Sequence, residues 1–331
     1  MTRVAVIGVG SMGKNHARVY SEMPEAELAA VSDNNPETAE KIGAHFGVTP
    51  YQDYRQMLEK EKPEAVTISV PTALHYEVGM TAMEAGAHVL IEKPISATLE
   101  EGRALIQAAD RLGRHLMIGH IVRFNAAHQE LKKRLENNEL GRVFQIFCRR
   151  AGPFPARIRD VGVIVDLAPH DIDIMRYLTG ESPERVYAEI EQRIHTDHED
   201  LLFALLRFPG HVTGALEINW LTPTKVREVL VIGERGMFRV DDLTQDLYFY
   251  ENSQATEGLW HGLQTIKGVS EGSMIRYAIQ RREPLRVELE SFVRAVRGDA
   301  PITVTGEDGL EALRLSLLLI ESGQTHQTLL T

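Results

Sequence analysis

Cysteine is almost absent from this chain. The single residue, Cys148, can close no intramolecular disulfide and supplies no thiolate set for zinc, and it suits a reducing compartment. Long apolar runs are missing as well. The densest, Leu315 to Ile320, is interrupted by Ser316 and falls far short of the roughly 18 apolar residues of a membrane-spanning helix. Basic charge is in deficit: 36 Lys and Arg stand against 47 Asp and Glu, a formal net charge of −11. That disfavours non-specific binding to nucleic acid and attachment to an anionic membrane. No internal repeat or low-complexity tract is present. Met1, Thr2 and Arg3 lead straight into Val4 to Ile7, which leaves no room for a charged leader and its apolar region. The expected location is cytoplasmic.

What is present is an ordinary globular composition, 43% hydrophobic and 25% charged over 331 residues, long enough for about two domains at roughly 150 residues each. Apolar runs at Val4 to Ile7, Leu28 to Val31, Ala65 to Val70, His88 to Ile91 and Leu116 to Ile118 alternate with helical patterns, the pattern of a doubly wound parallel sheet. Helix punctuation fits: Asn35 ahead of Pro36, Thr98 with Glu101 as a capping box, and Gly86 and Gly113 as C-terminal stops. Beyond Gly119-His120 the pattern changes. A helical stretch, Glu130 to Asn137, precedes β-rich runs at Val143 to Phe147, Val186 to Ile190, Leu201 to Phe208, Val212 to Ile218, Val226 to Ile232 and Leu247 to Tyr250. Short turns between several of them predict a mostly antiparallel sheet. Helices are expected over Asp166 to Tyr177, Val287 to Val296 and Gly309 to Glu321, and Glu251 to Glu283 reads as irregular. The expected domains are therefore 1–120, a dinucleotide-binding α/β domain, and 121–331, an α+β domain with an open sheet, whose C-terminal helix is a candidate to pack back on the first.

The sharpest motif is Gly8-Val9-Gly10-Ser11-Met12-Gly13, placed between the first strand and a helix. The first glycine permits the tight turn, the second lets backbone approach a pyrophosphate, and the third allows close helix–strand packing with the anion at the helix N-terminus. Asp33 lies 20 residues beyond Gly13, where a carboxylate accepts from a ribose 2′-hydroxyl and repels a 2′-phosphate. Its neighbours Asn34, Asn35 and Pro36 carry no positive charge, so NAD is favoured over NADP. Val70, Pro71, Thr72 and His75 follow one strand, and Glu92, Lys93 and Pro94 follow the next. Ligands of open α/β sheets bind outside such carboxyl ends. Lys93, held between a strand end and a proline, can stabilise a developing alkoxide or take part in proton transfer; an ordinary surface lysine is the alternative.

A second constellation is Asp166-Leu167-Ala168-Pro169-His170-Asp171-Ile172-Asp173. Asp166 and His170 are four apart, hence on one helix face, where a carboxylate can orient an imidazole and raise its basicity. Pro169 is best tolerated in a first turn, which offers Asp166 the alternative role of N-cap. Residues 149–159 hold four arginines, Arg149, Arg150, Arg157 and Arg159, and no acid. Guanidinium forks suit phosphate oxygens; a solvated or intersubunit basic patch is the other reading. No catalytic metal is expected.

Together the glycine motif, Pro71 to His75, Glu92-Lys93-Pro94, Gly119-His120 with Arg123-Phe124, and Asp166 to Asp173 resemble the glucose-fructose oxidoreductase, inositol dehydrogenase and MocA family. That resemblance implies an NAD(P)-dependent sugar oxidoreductase with a Rossmann domain and an open sheet that often mediates oligomerisation, so a homodimer or homotetramer. It implies Lys93, Asp166 and His170 as catalytic residues. Within the family, Gly119 to Asn125, Arg149 to Gly162 and Trp220-Leu221-Thr222-Pro223 are similar to UDP-N-acetylglucosamine 3-dehydrogenases, which implies a UDP-sugar substrate and Arg123, Arg157 and Arg159 as binding residues. A dehydrogenase of a free sugar or inositol, and a non-catalytic NAD-binding regulatory protein, are the competing readings.

Overall fold

The alternation of buried strands with capped helices winds the first 124 residues into a layered sheet. The computed structural model describes residues 1–155, 161–195, 197–254 and 269–331, and they fall into two compact units, 1–124 with 282–315 and 125–281 with 316–331. The sequence places the division at 120 with the C-terminal helix a candidate to pack back on the first domain; residues 282–315 group with the first unit.

In the first unit, strands β1 (Thr2–Ile7), β2 (Ala26–Ser32), β3 (Thr49–Tyr51), β4 (Ala65–Ile68), β5 (His88–Glu92) and β6 (Leu116–Gly119) are connected by helices α1 (Gly13–Glu22), α2 (Pro36–Phe46), α3 (Tyr54–Glu61), α4 (His75–Glu84) and α5 (Leu99–Leu112). The strand order is β3-β2-β1-β4-β5-β6 and every pair is parallel. Val4 to Ile7, Ala65 to Ile68 and Val89 to Ile91 are all buried, as strands covered on both faces must be. The order reverses between β1 and β4, and a crevice for ligands forms at such a switch point. Strand β3, only three residues long, carries no apolar alternation to announce it. The expected caps form: Asn35 accepts from the Glu37 and Thr38 amides, and Thr98 and Glu101 make a reciprocal capping box.

The second unit contains α6 (Ala126–Glu136), β7 (Val143–Pro153), α7 (Val163–Thr179), β8 (Arg185–Glu191), β9 (Leu201–Arg207), β10 (Thr213–Asn219), β11 (Leu221–Gly233), β12 (Gly236–Asp241), β13 (Asp246–Gln254) and β14 (Val269–Arg276). Further along the chain, helix α8 (Pro284–Val296) belongs to the first unit, α9 (Gly306–Thr325) begins in the first unit and ends in the second, and β15 (Leu329–Leu330) belongs to the second. The nine strands run β14-β13-β12-β11-β7-β10-β9-β8-β15. All pairs are antiparallel except β7 with β10. The inner face holds Ile146, Cys148, Leu216, Ile218, Leu202, Leu206, Val229 and Val231, all buried, and α7 packs against β7, β9 and β10. On the other face Phe203 and Leu205 are 49% and 54% exposed.

The stretch Glu251 to Glu283, read as irregular, is corrected in part. Residues 251–254 extend β13, and 269–276 form β14, which pairs with it. Residues 272–276 are exposed throughout, and a strand exposed on both faces needs no hydrophobic alternation, so none is visible in the sequence.

Candidate functional site

The first unit presents loops at the carboxyl ends of β1, β2, β4 and β5. Gly8 has φ +82°, and a Cβ there would stand 2.6 Å from the Ser69 carbonyl oxygen and 2.9 Å from Val70 Cγ1. A Cβ on Gly13 would come within 1.8 Å of the Gly8 carbonyl oxygen, whereas the space beside Gly10 is open. Helix α1 begins with no side-chain cap, so its first turn presents amides where an anion is stabilised. The loop is thus tight where packing demands glycine and clear where a phosphate would approach, and these residues fit a dinucleotide. Asp33 serves both neighbours: Oδ2 accepts from the Val9 amide at 2.9 Å and Oδ1 from the Asn35 amide at 3.0 Å. Ser11 and Asn34 are exposed beside it, with Met12 half-buried.

The two following loops are tied to each other. His75 is 1% exposed, with Nδ1 2.7 Å from the Pro94 carbonyl oxygen and Nε2 3.0 Å from that of Val70. It therefore braces the Val70-Pro71-Thr72 loop against the loop of Lys93. Burial pushes its imidazole pKa down, against the pull of the two carbonyls. Glu92 turns inward beside Gly119, and its Oε1 lies 2.8 Å from Nε2 of fully buried His16. Burial pushes the Glu92 carboxyl up, but the His16 hydrogen bond and the nearby charges of His16 and Lys93 hold it below the usual range. Lys93 is half-buried between these anchored neighbours. Arg123 is a buried residue of this unit, donating to Asp308 Oδ2 at 3.0 Å and to the Thr303 carbonyl at 3.4 Å.

In the second unit α7 starts at Val163 with Gly162 as its N-cap. The N-cap role offered to Asp166 is therefore not the one it plays. The Glu199 carbonyl accepts from the Val163 amide at 2.9 Å and its Oε1 from the Ile164 amide at 3.2 Å, satisfying the helix start from another segment. Pro169 sits inside the helix, where it removes one backbone donor. Asp166 and His170 stand one turn apart, both half-buried.

The arginine-rich stretch divides by strand alternation. Arg149 lies on the outer face, donating to Glu217 at 3.0 Å. Arg150 lies on the inner, buried face, where Nε and Nη2 each donate to Asp171 at 2.8 Å. Arg157 and Arg159 lie outside the described residues. Sequence reading misses the acids that partner the first two, because they stand 68 and 21 positions away. It misses Asp242, which also accepts from Arg150, and His128, which pairs with Asp242, for the same reason. Among the described residues no group of three or more His, Cys, Asp or Glu side chains is placed to hold a metal ion, and no helix is long and apolar enough to cross a membrane.

Comparison with known proteins gives a consistent result along the chain. Residues 2–120 match the model of an oxidoreductase family with an NAD-binding Rossmann fold, and residues 128–239 match the GFO/IDH/MocA C-terminal domain. UDP-N-acetylglucosamine 3-dehydrogenase from Acidithiobacillus ferrooxidans is 30% identical over 315 residues, 95% of each chain. Myo-inositol 2-dehydrogenase from Thermotoga maritima is 26% identical over 325 residues, covering 95% of this chain and 93% of its own. A solved structure of the Acidithiobacillus enzyme matches with a TM-score of 0.85 at 29% identity, covering 98% of both chains.

Proposed function

The chain belongs to the GFO/IDH/MocA oxidoreductase family, and on that premise we propose that it oxidises a secondary sugar hydroxyl to a ketone, the 3-hydroxyl of UDP-N-acetylglucosamine or a related UDP-sugar. NAD supplies the hydride acceptor when bound; Gly8 to Gly13 and Asp33 would hold it. His170, oriented by Asp166, accepts the hydroxyl proton, and Lys93 stabilises the charge developing on that oxygen. A positioned base contributes about 10²–10⁴ in rate. The observation that carries this reading is α7 itself: with Gly162 as its N-cap and its first amides satisfied by Glu199, the helix carries Asp166 and His170 one turn apart, both half-buried.

The test follows reduced-cofactor absorbance with NAD or NADP against UDP-sugars, free sugars and inositols. Turnover with a UDP-sugar, and thermal protection by UDP-sugars but not by free sugars, is the expected result. A second reading, oxidation of an inositol or free sugar, is favoured by one observation: Arg149 and Arg150 are already paired with acids, so a diphosphate clamp would rest on Arg157 and Arg159. Turnover of inositols alone would establish it.

Two further outcomes are expected. Asp33 makes NAD much preferred, and Asp33→Ser narrows the ratio of kcat/KM for NAD over NADP by removing repulsion of a 2′-phosphate. Comparable kcat/KM with both cofactors in the unaltered chain would overturn the assignment. The outer face of the nine-stranded sheet, with Phe203 and Leu205 half-exposed, is proposed to pair with a second copy. Phe203→Glu with Leu205→Lys should then lower the mass measured by light scattering, and an unaltered monomer mass would remove the proposal.

A further inference from the structure

Arg150 is held to the base-bearing helix and to a distant turn at once. From the inner face of β7 its guanidinium grips Asp171 through two parallel bonds of 2.8 Å, and Nη2 reaches Asp242 Oδ2 at 3.3 Å. Asp242, in the turn after β12, accepts on Oδ1 from His128 of α6 at 2.7 Å, and its carbonyl accepts from the Asn125 side chain at 3.0 Å. Arg150 is 6% exposed, Asp171 1% and His128 0%. Arg227, opposite Arg150 on β11, donates to the Ala151 carbonyl at 2.6 Å. Burial, and then the charge of Arg150, push its pKa down, while Asp171, Asp242 and Asp166 pull it up.

Asp171 follows His170 directly, about 100° further round the helix. A bidentate bond there resists both rotation and sliding of α7 on the sheet, because guanidinium and carboxylate must stay coplanar to keep both hydrogen bonds. Packing alone is less restrictive: Ile172, Ile174 and Met175 are apolar contacts that tolerate small rotations.

We infer that Arg150 is a positioning residue, whose fork on Asp171 sets the rotation of α7 and thereby the placement of Asp166 and His170. The inference rests on the proposed role of His170 as base. It assigns a role to the arginine tract that phosphate binding does not cover.

Four variants test it, each measured for kcat, sugar KM, NAD affinity and melting temperature. Arg150→Lys keeps the buried charge and loses the fork. Its kcat should fall about 10- to 100-fold, the scale of a small misplacement of reacting groups, with sugar KM within about threefold and NAD affinity unchanged. Arg150→Met with Asp171→Leu replaces the ion pair by apolar side chains, an exchange that often leaves stability nearly intact; kcat should stay low even where the melting temperature returns to normal. A near-normal kcat in either well-folded variant overturns the inference, and Arg150→Lys decides alone if the double variant fails to fold. Asp171→Asn should lower kcat in the same direction by a smaller factor, and an unchanged kcat there counts against the fork. His170→Ala separates the two levels: if it turns over normally, the base assignment and this inference fall together. If it is inactive while the Arg150 variants are normal, only this inference falls.

Discussion

Lys93→Met is expected to lower kcat by about 10²- to 10³-fold, the loss seen when a donor aimed at developing charge is removed, while NAD affinity stays within a few-fold. Lys93 follows Glu92, anchored by His16, and precedes Pro94, whose carbonyl is anchored by His75. A lysine held on both sides loses little freedom in the transition state, which supports the proposed action of Lys93 on the reacting oxygen. On the proposed reading cofactor binding draws instead on the glycine loop and Asp33, so the two effects should separate. Calorimetric titration with NAD and a single-turnover assay measure them. Near-normal turnover would take Lys93 out of the mechanism, and a parallel collapse of NAD binding would make it a cofactor ligand.

Glu288→Gln is expected to stabilise the protein increasingly as pH rises. Glu288 is fully buried on α8, and neither carboxyl oxygen has a hydrogen-bond partner among the described residues. Burial, and then the negative charge of Glu92, raise its pKa well above the ordinary value. The unfolded chain ionises this carboxyl above its ordinary range, while the folded chain keeps it protonated, so folding takes up a proton. The native state is thus favoured fully below the unfolded pKa and loses about 1.4 kcal/mol per pH unit above it, until the folded pKa is reached. Glutamine is neutral in both states and escapes that slope. Urea unfolding of both chains between pH 5 and 8 should show the gap widening by about that amount per unit; a gap independent of pH would mean that Glu288 is ionised in the fold. Glu92 works in the opposite sense, its lowered pKa favouring the fold above the carboxylate range and losing that contribution as pH falls. Both chains share it, so it cancels in the difference.

Periodicity and punctuation made the first unit legible. Buried parallel strands must be apolar runs, and the caps at Asn35, Thr98 and Gly113 are short-range features that a linear reading captures. What escaped depends on distance along the chain. Strand β14 exists through pairing with β13, and its exposed residues carry no alternation. Helix α7 begins three residues before Asp166 because Glu199, far downstream, satisfies its first amides; Pro169 alone suggested a later start. Arg150 read as one of four similar cations until the pleat turned it inward onto Asp171. Only there does it differ from Arg149, its neighbour in sequence.

Asp33 carries a consequence for redesign. Its carboxylate is proposed to select a ribose 2′-hydroxyl, yet one of its oxygens already holds the Val9 amide within the glycine loop. Charge at this position and the shape of the pyrophosphate turn are therefore inherited as a single trait. A retuned cofactor preference obtained by shortening the side chain to serine also removes a strut from the loop, so affinity for both dinucleotides declines together. Asparagine, which drops the charge and retains an oxygen facing Val9, is the replacement that divides the trait into its two parts.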